Sequence, residues 1–209
     1  MIAINYFVEN KIDFAIIEAG IGGRKDATTV FENQVAVAIT SIGLDHTEIL
    51  GETVDEIIIE KEMIAKENAV IFVSYDSRSH INKIKNDMIY NEVIYGEKGM
   101  NIFSYQRNNY GLAKTILNYY GIDEDTIKDV KPPLGRLTVL RKKPFLIIDG
   151  CHNEDGVTKM IKSLKTIIPT TNLKIVFATS AQKNADVMIK QLSKLSSQVF
   201  LTEFDHPKS

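Results

Sequence analysis

The sequence predicts an α/β protein that is built on a mostly parallel sheet and divided into two parts. Short apolar runs alternate with longer amphipathic stretches, which is the pattern of consecutive βαβ units. The segment KPPLGR at 131–136 interrupts this alternation, because a helix cannot continue through two prolines. We therefore expect one α/β unit at residues 1–133 and a second at residues 134–209.

The spacing of the apolar residues predicts the individual elements. Strands are expected at about 13–18, 35–41, 69–73, 92–95, 137–141, 144–149, 173–178 and 198–203. Helices are expected at about 1–10, 52–66, 77–90, 107–120, 154–168 and 184–196. The helix at 154–168 has the clearest pattern, since its apolar residues recur at the helical period and Asn153 stands before it as the expected N-cap.

The composition is that of an ordinary soluble globular protein and excludes several functional classes. A net charge of −2 over 209 residues gives no basic excess, so we expect no nucleic-acid partner. No apolar run is long enough to cross a bilayer, so no membrane association is expected. The single cysteine, Cys151, cannot form an internal disulfide, which favours a cytoplasmic location.

A cluster of glycines follows the first predicted strand, in the stretch EAGIGGRKDAT. Its spacing fits neither the dinucleotide fingerprint nor the P-loop. Glu18 stands at the expected end of this strand, and His46 lies just beyond the end of the next one, in SIGLDHTEILG. A carboxylate at a strand end is a suitable ligand for Mg²⁺. Two simpler roles remain open: Glu18 as the cap of a neighbouring loop, and His46 as a surface residue.

Lys61 interrupts the apolar face of the helix expected at 52–66, which begins with a capping box of Thr53 and Glu56. Burial of an ammonium group is costly and depresses its pKa. Such a lysine is either paired at the helix edge or used as a neutral amine, which can react with CO₂ to form a carbamate. The spacing alone leaves both interpretations open.

The stretch FLIIDGCHNEDG at 145–156 predicts a second strand, a turn and a helix start. Asp149 ends the strand, where an acid can accept hydrogen bonds from a ribose, and His152 precedes a helix N-terminus that favours anions. Helix capping alone would account for Asn153 but not for His152. Arg136 carries a fixed positive charge suited to phosphate or carboxylate. Cys151 has no accompanying oxyanion-hole pattern, so nucleophilic catalysis is not expected.

Taken together, several segments resemble the folylpolyglutamate synthase/dihydrofolate synthase family, a branch of the Mur ligases. The matching segments are DFAIIEAGIGGRKDATTV, ITSIGLDHTEILGETVDEI, EK at 60–61, QRNNYGLA, GRLTV, IIDGCHNEDG and LTEFDHPKS. They occur in the family's order over essentially the whole chain. The resemblance implies that residues 1–133 form part of a Mur-ligase central ATPase domain, and that residues 134–209 form part of a Rossmann-like C-terminal domain.

The resemblance also implies an ATP-dependent amide ligase of folate biosynthesis. ATP would phosphorylate a carboxylate of the folate substrate, and the amine of glutamate would displace the phosphate. The implied cofactors are ATP and Mg²⁺. The implied partners are the small molecules dihydropteroate, tetrahydrofolate and L-glutamate, and the full-length enzyme is expected to be a monomer.

Matching positions imply a role for each candidate site residue. The residues that match the family's magnesium ligands are Glu18 and His46. Lys61 matches the lysine that is carbamylated in the family, and we assign catalysis to Lys61 together with His152. The residues that match ATP contacts are Asn109, Arg136 and Asp149. The residues that match the loop touching the pterin-bearing substrate are Lys25, Asp26 and Ala27.

The sequence also departs from the family. Glu62 and Met63 follow Lys61 where the family has Ala-Gly, and Leu134 stands where a proline normally precedes Gly135. The family's ATP-gripping loop of the Gly-Thr-Asn-Gly-Lys-Gly-Ser kind has no counterpart, so we expect no ligase turnover by this chain alone. A non-catalytic α/β remnant or nucleotide-binding module, and a Mur-type ligase for a cell-wall precursor, remain alternatives.

Overall fold

The computed structural model describes residues 2–99, 106–168, 172–180 and 183–205. Met1 of the first expected helix, residues 181–182 and residues 206–209 of the family-like C-terminal segment lie outside this description. Within the described ranges, the protein is a mixed α/β structure in which two groups of parallel strands are flanked by helices. The predicted α/β class with parallel sheet pairing is confirmed.

The first part is organised around a parallel sheet with the order β1-β2-β3. Its strands are β1 (Ala36–Ile39), β2 (Val70–Val73) and β3 (Val93–Tyr95). Its helices are α1 (Ile2–Glu9), α2 (Thr47–Leu50), α3 (Val54–Glu62), α4 (Ile81–Asp87) and α5 (Arg107–Tyr119). Short 3₁₀ helices occur at Ala27–Val30, Tyr75–His80 and Glu124–Ile127.

The central strand β2 is buried on both faces, as its uninterrupted apolar run predicts. Because side chains alternate along a strand, Ile71 and Val73 pack with Ile58 of α3 on one face. Phe72, on the opposite face, packs with Leu112 of α5. These two apolar clusters hold the sheet between its helices.

The second part contains an antiparallel hairpin and a parallel strand pair. Its elements are β4 (Thr138–Lys142), β5 (Phe145–Ile148), α6 (Glu154–Ile167), β6 (Lys174–Phe177), α7 (Ala185–Ser193) and β7 (Gln198–Leu201). The strands β4 and β5 pair antiparallel, and β6 pairs with β7 in parallel. The helix α6 packs one side against Leu137 and Leu195, and another against Met188 of α7. The buried clusters separate on either side of residues 131–136, while the division at residues 133 and 134 stays a prediction.

Three expectations about the elements were wrong. The strand expected at 13–18 is irregular, and Phe14 and Ile16 are 64% and 96% exposed. A strand requires a hydrogen-bonded neighbour, and no described residue provides one here. The helix expected at 52–66 ends at Glu62, and the one expected at 77–90 is divided between a 3₁₀ segment and α4.

The predicted helix starts at the site region are confirmed. Thr53 and Glu56 form the expected capping box, with the Thr53 side chain accepting from the Glu56 amide and Glu56 accepting from the Thr53 amide. Asn153 caps α6, because its Oδ1 accepts from the Gly156 amide at 2.8 Å. Across the described residues, no helix is both long enough and apolar enough to cross a membrane.

Candidate active site

The segments that follow the parallel strands meet at one edge of the first sheet. The amide of Ile42, after β1, donates to Ser77 Oγ, after β2, at 3.0 Å. Asp76 accepts from Asn108 Nδ2 in the first turn of α5 at 2.6 Å. Asn109, the predicted ATP contact, is the exposed neighbour of Asn108. Open α/β sheets bind their ligands at this carboxyl edge.

Asp26 is the structural centre of the glycine loop. Its Oδ2 accepts from the amides of Gly20 and Ile21 at 2.8 and 3.0 Å. Its Oδ1 accepts from the amide and the hydroxyl of Thr28 at 2.9 and 2.7 Å. Hydrogen bonds from Thr28 and Ile21 outweigh the effect of burial and lower the pKa of Asp26 to about 2. The carboxylate therefore folds the loop, which leaves the adjacent exposed Lys25 and Ala27 as the loop's accessible surface.

Glycine is required at two positions of this loop by close packing. A Cβ on Gly23 would lie 2.6 Å from the carbonyl oxygen of Glu60 and 2.8 Å from that of Lys61. Gly22 has a φ of +66° and lies against Leu50 at the end of α2. The Arg24 amide also donates to the Glu60 carbonyl at 3.0 Å. The glycines thus bring the substrate-loop candidate against the end of α3 that carries Lys61.

Lys61 is half-buried at the end of α3. Burial lowers its pKa, and the negative charge of Asp45 partly opposes that shift. This environment is the one that the interrupted apolar face predicts. It raises the fraction of neutral amine relative to an exposed lysine.

Glu62, next to Lys61, is a buried carboxyl group that the sequence interpretation assigned no role. It is 2% exposed, and its Oε2 has no hydrogen-bond partner among the described residues. Burial, followed by the nearby Asp87, raises the pKa of Glu62 to about 7. The one sequence signal for this buried carboxyl group is its position directly after Lys61, which interrupts the apolar face of the helix.

Asp45 and His46 occupy the loop between β1 and α2. His46 adopts a left-handed backbone conformation with φ of 49°, and its Nδ1 lies 3.5 Å from Glu48 Oε1. The Asp45 carboxylate accepts hydrogen bonds from Asn153 Nδ2 at 2.7 Å and from Lys183 Nζ at 3.1 Å. Burial disfavours the charge of Asp45, but these hydrogen bonds outweigh it and lower its pKa.

Asp149 joins two turns of the second part. Its Oδ2 accepts from the Leu137 amide at 2.7 Å, and its Oδ1 accepts from the Cys151 amide at 2.9 Å. The Gly150 amide donates to the Gly135 carbonyl at 2.7 Å. The exposed Arg136 lies in the first of these turns, and the exposed His152 follows the second.

The thiol of Cys151 is unsuited to nucleophilic catalysis. Burial, followed by the charge of Asp149, raises the pKa of Cys151 to about 12. A thiol with such a pKa is protonated near neutrality, and the thiolate is the nucleophilic form. The thiol is therefore held in its unreactive state.

The predicted magnesium ligands, Glu18 and His46, stay a prediction. Glu18 is exposed, His46 is partly exposed, and within the described ranges no group of three or more acidic, histidine or cysteine side chains is placed to hold a metal. Mg²⁺ usually keeps several waters and binds one or two protein groups together with phosphate oxygens. The carboxylate of Glu18 is a protein group of this kind.

The structure brings many of the predicted residues into one neighbourhood. The loop carrying Lys25 to Ala27 packs on the end of α3 at Lys61, and the Asp45–Asn153 contact joins the segments that carry His46 and His152. Within the described part of the chain, no hydrogen bond or ion pair joins Glu18 or Asn109 to this group. The contribution of Asp45 and Lys183 was missed, because it depends on contacts between distant segments.

Comparisons with known proteins identify relatives along nearly the whole chain. No protein-family model matches the chain. The dihydrofolate synthase/folylpolyglutamate synthase of Bacillus subtilis is 30% identical over 248 aligned positions, which cover 99% of this chain and 57% of that protein.

Solved structures show the same fold. Mycobacterium tuberculosis folylpolyglutamate synthase complexed with ADP matches with a TM-score of 0.82 and 23% identity, covering 99% of this chain and 55% of that one. A complex of folylpolyglutamate synthase with AMPPCP and folate matches with a TM-score of 0.74 and 22% identity, covering 94% and 57%. The chain spans about half the length of the relatives it matches. Over almost all of its own length it is a relative of the folylpolyglutamate/dihydrofolate synthase family, and its fold is the Mur-ligase type of those proteins.

Proposed function

We propose that this chain provides site elements of an ATP-dependent ligase that joins L-glutamate to a pteroyl substrate. The packing of the glycine loop onto α3 is the observation that carries this proposal. Gly23 and the Arg24 amide of this loop contact the backbone of α3 at Glu60 and Lys61, which supports a site that the candidate substrate contacts Lys25 to Ala27 share with Lys61. The substrate would be dihydropteroate, tetrahydrofolate or both. The name of the Bacillus subtilis relative includes both synthase activities, which supports this range of substrates.

The reaction would proceed in two steps. A carboxylate oxygen of the pteroyl substrate attacks the γ-phosphorus of ATP, the bond from that phosphorus to the β,γ-bridging oxygen breaks, and ADP leaves with its electron pair to give an acyl phosphate. The glutamate amine then attacks the acyl carbon, loses a proton and displaces phosphate. Both steps concentrate negative charge, which the guanidinium of Arg136 and the N-terminus of α6 beside His152 are suited to stabilise.

Glu18 and His46 would hold Mg²⁺, which supplies positive charge for the phosphates when it is bound. Asn109, Arg136 and Asp149 would form the nucleotide side of the site. For Asp149, the two backbone hydrogen bonds leave a supporting role: it holds the turn of Arg136 against the turn before His152.

Lys61 would act as a carbamate. Its amine adds to CO₂, a proton is released, and the cation becomes a carboxylate-bearing group. Native mass spectrometry under CO₂-rich conditions should show one carbamate adduct that Lys61→Ala removes and that Lys25→Ala, at an exposed lysine, retains. Absence of the adduct from the unsubstituted protein would contradict the carbamate and leave a half-buried, paired lysine.

This chain alone would bind ligands without catalysing the ligation. The sequence contains no Gly-x-x-x-x-Gly-Lys-Ser/Thr segment, whose amides and lysine hold the β- and γ-phosphates in P-loop enzymes. Glutamate-dependent release of ADP by the purified chain would contradict this part of the proposal.

Calorimetric titration tests the proposed substrate class. The ligands are Mg²⁺-ADP, dihydropteroate, folate and a UDP-sugar peptide that represents cell-wall precursors. We expect binding of the adenine nucleotide and of a pteroyl compound, and loss of nucleotide binding in Arg136→Ala but not in Arg141→Ala, an exposed arginine of β4. Selective binding of the UDP-sugar peptide would assign the chain to a different Mur-type ligase. Binding of none of the ligands would overturn the ligase proposal.

A further inference from the structure

Asp45 joins three segments that are far apart in the sequence. Its Oδ2 accepts from Asn153 Nδ2 at 2.7 Å, across 108 residues. Its Oδ1 accepts from Lys183 Nζ at 3.1 Å, across 138 residues. The loop after β1 is therefore tied to the segments that precede α6 and α7.

This contact differs from an ordinary surface ion pair. The side chains of Asp45 and Lys183 are only 33% and 19% exposed. Each carboxylate oxygen has a donor from the second part of the chain, and Oδ1 also accepts from the His46 amide at 3.0 Å. Charge-assisted hydrogen bonds to both oxygens define a geometry more narrowly than a single exposed pair does.

Both donors are themselves held in place. Asn153 uses its Oδ1 to cap α6 through the Gly156 amide, which leaves its Nδ2 directed to Asp45. Lys183 is followed by Asn184, whose Nδ2 donates to Glu154 Oε1 at 3.0 Å. The start of α6 and the segment before α7 thus hold the two donors, Asn153 Nδ2 and Lys183 Nζ, in place for the Asp45 carboxylate of the loop.

A second close approach lies beside these hydrogen bonds. A Cβ placed on Gly43 would lie 3.5 Å from the Asp155 carboxyl group, at ordinary van der Waals distance. The loop after β1 therefore also approaches the first turn of α6 at Gly43.

We propose that Asp45 is a positioning residue that sets the placement of the loop after β1 against the start of α6. His46 adjoins Asp45 and His152 adjoins Asn153, so the Asp45–Asn153 contact fixes the separation of the two histidines. The roles of these histidines rest on the proposed function, whereas the contact itself does not.

Asn153→Asp is the first test, measured by hydrogen–deuterium exchange. The new carboxylate can still cap α6, but it opposes the carboxylate of Asp45. We expect several-fold faster exchange in residues 43–46 and in the first turn of α6, with the amides of β2 unchanged. The double variant Asp45→Asn/Asn153→Asp swaps the amide and the carboxylate across the contact. It should restore slow hydrogen–deuterium exchange.

Lys183→Met is the second test, and it still tests the positioning role of Asp45 if Asn153→Asp unfolds the protein. Its matched control is Lys190→Met, at an exposed lysine of α7. Faster exchange in residues 43–46 for Lys183→Met alone supports the positioning role. Equal exchange in the two lysine variants, or failure of the swapped double variant to recover in a folded background, would overturn it. Hydrogen–deuterium exchange needs no ligand, so a failed ligand titration would contradict the proposed function but not the positioning role of Asp45.

Discussion

Two buried acids near the candidate site, Asp26 and Glu62, have opposite properties because their surroundings differ. Asp26 accepts hydrogen bonds from three amides and one hydroxyl, and its pKa falls to about 2. Glu62 is buried beside the carboxylate of Asp87, and its pKa rises to about 7. Burial alone therefore does not determine protonation; the available donors do.

Asp26→Asn should destabilise the glycine loop. The substitution replaces an acceptor oxygen by an amide that faces backbone N–H donors, and it removes the charge that strengthens the remaining bonds. We expect a loss of about 1–3 kcal/mol in the free energy of unfolding, measured by urea titration. Lys25→Ala, at the exposed neighbour, should change it by less than about 0.5 kcal/mol. Equal stability losses in the two variants would argue against Asp26 as the anchor of the loop.

Glu62 should make the protein less stable as the pH rises. Its pKa is 4.5 ordinarily and about 7 in the folded protein, so the folded state retains a proton that the unfolded state has lost between these values. The contribution of Glu62 to the free energy of unfolding is fully present below about pH 4.5. It is lost as the pH rises through about 7, by up to about 3 kcal/mol.

Glu62→Gln removes the titrating proton and tests this dependence. The free energy of unfolding of the variant, relative to the unsubstituted protein, should increase between about pH 5 and about pH 8. Glu67→Gln, at an exposed acid, should show no such trend. A constant difference for Glu62→Gln across this range would show that Glu62 ionises as easily in the folded as in the unfolded chain.

At the scale of the elements, the end of α3 is shaped by its contact with the glycine loop. Gly23→Ala would place a methyl group within 2.8 Å of two carbonyl oxygens in α3, and the backbone cannot move away as a side chain could. We expect a loss of about 1–3 kcal/mol and weaker binding of a pteroyl ligand. In Gly20→Ala the nearest atom is the Asp26 carboxylate at 3.4 Å, so the effect should be much smaller. Similar losses in both variants would contradict this packing.

The elements that could be predicted are those defined by local signals. The Thr53–Glu56 capping box, the Asn153 cap and the apolar run of β2 all depend on neighbouring residues. The segment at 13–18 has an equally apolar sequence but no hydrogen-bonded partner strand among the described residues. Its failure as a strand shows that strand formation is a property of a pair.

In the candidate site, too, the sequence predicted the features that depend on local spacing and missed those that depend on long-range contacts. The half-buried position of Lys61 follows from helical spacing, which is local. Asp45 appears in the sequence only as the neighbour of His46, and Lys183 lies within an unremarkable polar stretch. Their contact spans 138 residues, and no periodicity or spacing encodes it. Long-range pairing of this kind requires the assembled structure.

For the whole molecule, the proposed function predicts one location for ligand binding. The carboxyl edge of β1–β3, the glycine loop on α3 and the joined turns around Asp149 carry the residues assigned to the ligands. The contact of Asp45 with Asn153 connects these regions. Nucleotide and pteroyl ligands should therefore bind at this junction and not elsewhere on the chain.

Amide-resolved NMR titration of the labelled chain with Mg²⁺-AMPPCP, followed by folate, tests this location most directly. The nucleotide should shift resonances at residues 135–137 and 149–153, and folate should add shifts at residues 20–27. The pocket lined by Asn172, Leu173 and Ser196 should remain unaffected and serves as the internal reference. Nucleotide shifts confined to that pocket, or no shifts with either ligand, would contradict the proposed site.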